Sequence, residues 1–151
     1  MRQKEAVGAF FKVPIDHTYH TYGRIIMDNK FAFYDYKTDK DELDLDKIEQ
    51  AKVLFKILVS EIPIKKGIWK IIGIKELPED LKEPVPLFIQ EIGNPKVCYI
   101  DLRGDRRQVS PEECIGVERF AAWSYQNVEQ RLADHYNGVP NVSSRLLQVE
   151  L

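Results

Sequence analysis

The sequence predicts an α+β protein, mainly β, in which a bent antiparallel sheet or open barrel of about six strands packs against two C-terminal α-helices. Three observations predict it. Apolar and aromatic residues alternate or run together in short segments through the first two thirds of the chain, glycine, proline and asparagine separate those segments, and from Ser110 onward the apolar spacing becomes helical. The chain has 151 residues, 44% of them hydrophobic, a size at which a single core is the expected solution. Residues 1–151 are therefore read as one domain, with the sheet over about 6–102, helices over about 110–137 and a tail over 138–151.

The first strand is read at Ala9 to Ile15, where Pro14 lacks a backbone donor and sets the end of the segment at an edge or a turn. Tyr19 to Met27 and the stretch from Phe31 form a hairpin across Asp28-Asn29, with Phe31, Phe33 and Asp35 on one face and Ala32, Tyr34 and Tyr36 on the other. Thr38 to Asp46 is polar and carries Asp39, Asp41, Glu42, Asp44 and Asp46, the composition of a solvated loop or a helix start. Val53 to Val59 is apolar on both faces and is expected as a central strand. Ile68 to Ile74 follows Gly67 as a further strand, and Leu77 to Pro86, with three prolines, is expected to run irregularly over the surface. Leu87 to Ile92 and Val97 to Leu102 close the sheet as a hairpin across Gly93-Asn94-Pro95-Lys96.

Ser110-Pro111-Glu112-Glu113 reads as a capping box with proline at the first helical position, and Cys114, Val117 and Ala121 share a helical face beyond it. A second helix fits Tyr125 to Asn137. Ser124 caps its start, Val128, Leu132 and Tyr136 form its apolar stripe, and Gly138 with Pro140 stops it. The tail from Val142 to Leu151 alternates weakly and is read as a last edge strand or a disordered end.

Charge and motif content narrow the function. Basic and acidic residues number 22 and 24, so there is no global field to hold a polyanion, and direct nucleic-acid binding is not expected. Ala6 to Phe11 is too short for a signal peptide and no apolar run approaches a membrane span, so the chain is expected in the cytoplasm without a membrane partner. Cys98 and Cys114 form no C-x-x-C pair and are expected to be reduced and buried. His17 and His20 face opposite sides of a strand and are read as solvent-facing. A metal-dependent enzyme built on Asp16, His17 and His20 would need an irregular turn to bring them together, and no metal site or cofactor is expected. Arg131 precedes Asp134 by three residues and His135 by four, the spacing of a helix-surface ion pair. Glu112 with Glu113, or Glu118 with Glu129, are candidate acid–base pairs by residue type only. Tyr19, Tyr22, Tyr34 and Tyr36 are read chiefly as core, with a base-stacking platform as the alternative.

Several ordered segments resemble a known family. Gly8-Ala9-Phe10-Phe11-Lys12-Val13-Pro14, Tyr22-Gly23-Arg24-Ile25 and Phe33-Tyr34-Asp35 open the series, and Val53-Leu54-Phe55-Lys56, Gly67-Ile68-Trp69-Lys70-Ile71-Ile72-Gly73 and Pro86-Leu87-Phe88-Ile89-Gln90 continue it. Gly116-Val117-Glu118-Arg119, Ala121-Ala122-Trp123 and Val128 to His135 end it. Together they are similar to the immunity protein 26 family of bacterial polymorphic toxin and contact-dependent inhibition systems. The resemblance implies a mostly β domain, without catalytic residues, that binds and neutralises the C-terminal domain of a toxin encoded by a neighbouring gene. The expected contact patch is the acidic run Asp39, Asp41, Glu42, Asp44 and Asp46, with Glu129, Arg131 and Asp134 on the last helix as a second choice.

Overall fold

A computed structural model describes residues 2–151. The chain builds two sheets. The first contains β1 (Ala9–Ile15), β2 (Tyr19–Met27), β3 (Lys30–Tyr34), β4 (Val53–Leu58) and β5 (Lys70–Ile74), all antiparallel, in the order β4-β3-β2-β1-β5. The second contains β6 (Leu87–Gln90), β7 (Cys98–Leu102), β8 (Asp105–Val109) and β9 (Glu118–Arg119), in the order β8-β7-β6-β9, with β9 parallel to β6. Short helices α1 (Leu45–Glu49), α2 (Ile62–Lys65) and α3 (Glu79–Lys82) lie in the connections of the first half, and α4 (Tyr125–Asn137) and α5 (Val142–Leu146) follow the second sheet. The fold is α+β and mainly β, as expected.

Both faces of the first sheet are covered. On one, Phe11, Phe31, Phe33 and Trp69 pack with Trp123 and with Val128 and Leu132 of α4. On the other, Phe10, Tyr22 and Tyr34 pack with Ile48 of α1, and Ile26 and Ala32 with Leu81 of α3 and Leu87 of β6. Burial on two faces explains why β2 and β3 are apolar along most of their length. Gly23 sits where only a hydrogen fits, because a Cβ there would collide with the Phe11 ring. At the β1–β2 turn Asp16 and His17 both take positive φ, 49° and 57°, the geometry that lets a tight hairpin follow the twist of its strands.

Four element readings are corrected. Val53 to Leu58 is an edge of the first sheet rather than its centre. It is apolar on both faces because Ile57 and Phe55 meet the α4 side while Val53 and Leu58 meet the other, and two-faced burial does not require a strand on either flank. The helix expected from Ser110 is only a 3-10 turn, Pro111–Cys114. The Glu113 carboxylate accepts the Ser110 N–H at 2.8 Å, but Ile115 turns extended and Gly116 adopts φ 82°, delivering Glu118 and Arg119 to the edge of β6. Strand pairing there overrides a local helical period. Asp105 to Val109 forms a strand that its polar composition conceals, since an edge strand facing water needs no apolar alternation. The tail is ordered: Asn141 caps α5, and Glu150 exchanges hydrogen bonds with the Gln90 side chain at 2.8 and 3.0 Å.

The segment after β9 joins the two sheets. Phe120 donates its N–H to Phe88 of β6, then Trp123 pairs with the outer edge of β4 through Trp123 N–H to Leu58 O, 2.9 Å, and Ser60 N–H to Trp123 O, 3.0 Å. The expected open barrel is thus realised as two sheets stitched edge to edge. Helix α4 agrees with the sequence reading: Ser124 Oγ accepts the Asn127 N–H and Gly138 closes the helix in the left-handed region. Cys98 and Cys114 are buried and free, and burial, then the neighbouring Cys98, pushes the Cys114 thiol up to about 11.

Candidate partner-binding surface

The acidic run leaves β3, crosses over β2 and enters α1. Thr38 pairs with His20 through two 3.0 Å backbone bonds, which fix the start of the crossing. Beneath it the Tyr22 hydroxyl accepts the Glu42 N–H at 3.1 Å. The Glu42 carboxylate accepts from the Tyr36 hydroxyl at 3.0 Å and from the Asp44 N–H at 3.1 Å, and pairs with Lys47 at 3.3 Å. Asp44 caps α1 by accepting from the Asp46 and Lys47 amides. These contacts make the loop a built structure rather than a loose tether.

Most of its charge is answered within the chain. Lys12 of β1 meets Asp41 at 2.5 Å, and this hydrogen bond, with the lysine charge, holds the Asp41 carboxyl below the usual carboxylate range. Lys75, next to β5, meets Asp46 at 2.5 Å and Glu49 at 3.0 Å, and Glu49 in turn meets the buried Arg24 at 2.5 Å. Asp39 is exposed and makes no ion pair among the described residues. Leu43, between Glu42 and Asp44 in the chain, is 69% exposed and adds an apolar side chain to the acidic run. The sequence signalled the run by composition; the lysines that meet Asp41 and Asp46 each lie 29 residues away in the chain and carried no local signal.

The three residues on α4 have defined internal partners. Glu129 accepts from the Trp69 indole N–H at 2.9 Å, and burial raises its pKa despite that bond. Arg131 does not pair with Asp134 as its spacing suggested. It reaches Glu118 of β9 with both prongs, at 3.1 and 2.8 Å, and its guanidinium lies 3.8 Å from the Phe55 ring centre and 5.0 Å from that of Trp123. That places it on the seam between the sheets. Asp134 accepts instead from Gln130 and Asn141, both at 2.8 Å, and His135 approaches Asp35 at 3.4 Å. The carboxylate pairs considered for acid–base work are not assembled: Glu118 serves Arg131, Glu129 serves Trp69, and Glu113 closes the 3-10 turn.

His20 is buried, not solvent-facing, because the crossing loop covers its face of β2. Its Nε2 lies 3.0 Å from the Tyr22 hydroxyl, and burial first, then the nearby Lys12, lowers its pKa. His17 sits exposed in the hairpin turn. Among the described residues no group of three or more His, Cys, Asp or Glu side chains is placed to hold a metal. Tyr22 and Tyr34 are buried, Tyr36 meets Tyr22 edge to face at 5.6 Å, and Tyr19 meets Tyr136 in the same way at 5.8 Å. The hairpin tyrosines therefore face one another and the core rather than forming an open stacking platform.

The features that stand out on this scaffold are external: a hydrogen-bonded acidic loop carrying an exposed leucine, and a sheet edge beside it. These define a mainly β scaffold suited to recognition through its surface. The model of the family described as Immunity protein 26 matches residues 6–99. The chain belongs to that family, and its role is that of an immunity protein. The matched span runs from the start of the first sheet into β7, so it includes the acidic loop and leaves α4 outside. No curated protein and no solved structure matches the chain. No helix among the described residues is long and apolar enough to cross a membrane.

Proposed function

We propose that this protein binds and neutralises one cognate toxin domain, the C-terminal domain of a toxin encoded by a neighbouring gene, acting in the cytoplasm and without catalysis of its own. Family membership over residues 6–99 carries this reading. The acidic loop is the contact we rank first. Asp39, Asp41, Asp46 and the exposed Leu43 supply charge and an apolar side chain, while Glu42 and Asp44 hold the loop in shape. A nuclease toxin would present a basic substrate groove to such a patch. Glu129, Arg131 and Asp134 on α4 form the second-ranked contact region.

The metal-enzyme alternative gains no support, since the His20 ring is turned into the fold toward Tyr22 while His17 lies in the turn. Co-expression of the chain with the neighbouring toxin domain tests the proposal. Growth is restored and the two chains co-purify if it is right. Toxicity that persists with the chain present in soluble excess removes it.

A further inference from the structure

The carboxylates of the acidic loop are largely paired, whereas a group of cations on the adjoining sheet edge is not. The N-terminal arm lies along the outer edge of β5. Gln3 Nε2 donates to the carbonyls of Ile64 and Trp69, each at 2.9 Å, its Oε1 accepts the Ile71 N–H at 2.9 Å, and its own N–H donates to Lys65 O at 3.1 Å. The side-chain amide thus occupies backbone groups that a neighbouring strand would take. Extended chain alternates its side chains, so with Gln3 turned in, Arg2 and Lys4 are turned out to solvent. They come to lie beside α2 and the start of β5, which expose Lys65, Lys66 and Lys70. From Ile62 to Lys75 the chain holds four lysines and no acidic residue.

The neighbouring acids are few and engaged. Glu61 pairs with Lys65 at 3.6 Å, Glu5 accepts the Asn29 N–H at 3.0 Å, Glu129 accepts from Trp69, and Asp41 is held by Lys12. Arg2, Lys4, Lys66 and Lys70 make no ion pair among the described residues. Lys70 is the cross-strand partner of Lys12, and Lys12, Asp41, Leu43 and Lys70 line one depression. The acidic loop and the cationic edge are therefore one continuous surface that changes sign across β1 and β5.

We propose that the cationic edge formed by Arg2, Lys4, Lys65, Lys66 and Lys70 is a second limb of the toxin-docking surface and receives an acidic face of the toxin domain. The inference rests on the immunity reading and adds to it the sign pattern of the partner. Opposite charges side by side fix the register of docking and speed encounter. A nucleic-acid strand is the weaker occupant. It would be held by stacking as well as charge, the ring of this segment, Trp69, is fully buried, and what is exposed beside the cations is aliphatic: Ile62 on α2 and Val7 at the end of the arm.

The test is stopped-flow association of the purified chain with the toxin domain, wild type against Arg2→Glu/Lys65→Glu/Lys66→Glu, over a range of salt. All three positions are exposed, so an unchanged melting temperature is the control for folding. The variant is expected to associate roughly tenfold or more slowly at low salt, with a flattened salt dependence and a dissociation rate close to wild type. A wild-type complex whose association rate and salt dependence survive the triple reversal overturns the proposal. Absence of any wild-type complex instead overturns the immunity reading, and the edge is then judged with a polyglutamate peptide and oligothymidylate as probes. Binding of polyglutamate by wild type but not by the variant sustains an acidic-protein docking face. Preference for oligothymidylate, or binding of neither, overturns it.

Discussion

The Arg24 guanidinium is fully buried and meets the carbonyls of Gly8, Lys75 and Glu76, the Tyr34 hydroxyl and the Glu49 carboxylate, while stacking 4.2 Å from the Phe10 ring centre. One side chain thus ties the entry to β1, the exit from β5 and helix α1, and through α1 it anchors the acidic loop. Arg24→Ala leaves Glu49 with Lys75 as its one remaining cationic partner and takes the guanidinium donor from the Gly8, Lys75 and Glu76 carbonyls, and is expected to cost about 3–5 kcal/mol in denaturant unfolding. Burial acts to raise the Glu49 pKa, but the hydrogen bonds from Arg24 and Lys75 prevail and lower it from 4.5. A depressed folded value means that this contribution is complete above pH 4.5 and is lost as pH falls through the folded value. Unfolding midpoints measured from about pH 6 to about pH 3 should therefore fall in wild type and fall less in Glu49→Gln. Glu129 behaves in the opposite sense. Its raised pKa makes the ionised form unfavourable in the fold, so Glu129→Gln should match or exceed wild-type stability at neutral pH, and any gap should close as pH drops toward 4.5. Arg131→Lys keeps a charge but loses the two-pronged grip on Glu118 and the guanidinium's cation–π contact over the Phe55 ring, and is expected to cost about 1–2 kcal/mol.

At the scale of elements, the paired hairpin strands and α4 are legible from sequence because their signals are local: apolar runs, turn residues, a capping serine and a terminating glycine. Gly23 belongs to the same level. Gly23→Ala drives a methyl into the Phe11 ring across the β1–β2 pair and should destabilise by about 1–3 kcal/mol, seen as a lower thermal midpoint with the strand signal retained below it. The elements that escaped local reading are defined by distant partners. β4 has β3 as its only strand neighbour, with Trp123 bridging just past its end at Val59, and the short β9 is set by its parallel contact with β6. No periodicity within residues 110–121 reveals that Gly116 will turn the chain out of helical geometry to reach that contact. The acidic loop was likewise visible as composition, but not the division of its carboxylates into Glu42 and Asp44, which bond the loop's own backbone, Asp41 and Asp46, which are exposed but each held by a lysine, and Asp39, which has no such partner. That division depends on Lys12, Tyr36 and Lys75 lying beneath or beside the loop.

Taken as a whole, the molecule carries a net charge of only −2, yet its charges are segregated. An acidic loop and a cationic edge adjoin on the β1–β5 side, and the groups that hold them in place are the buried Arg24 and the inward-turned Gln3. A surface of fixed shape and alternating sign is suited to one partner rather than many, because like charges brought together by a wrong partner are repelled. The hydrogen bonds that shape the loop matter beside its charge, since a loop already held in its docking shape loses little conformational freedom on binding. The central claim, that this immunity protein works by binding a single toxin domain, is tested most directly by titration calorimetry of the purified chain with that domain while toxin activity is assayed in the same mixtures. The account predicts saturation at one chain per toxin domain, with activity abolished at the same equivalence point. Full toxin activity in the presence of excess folded chain, with no heat of binding at several temperatures, would contradict it.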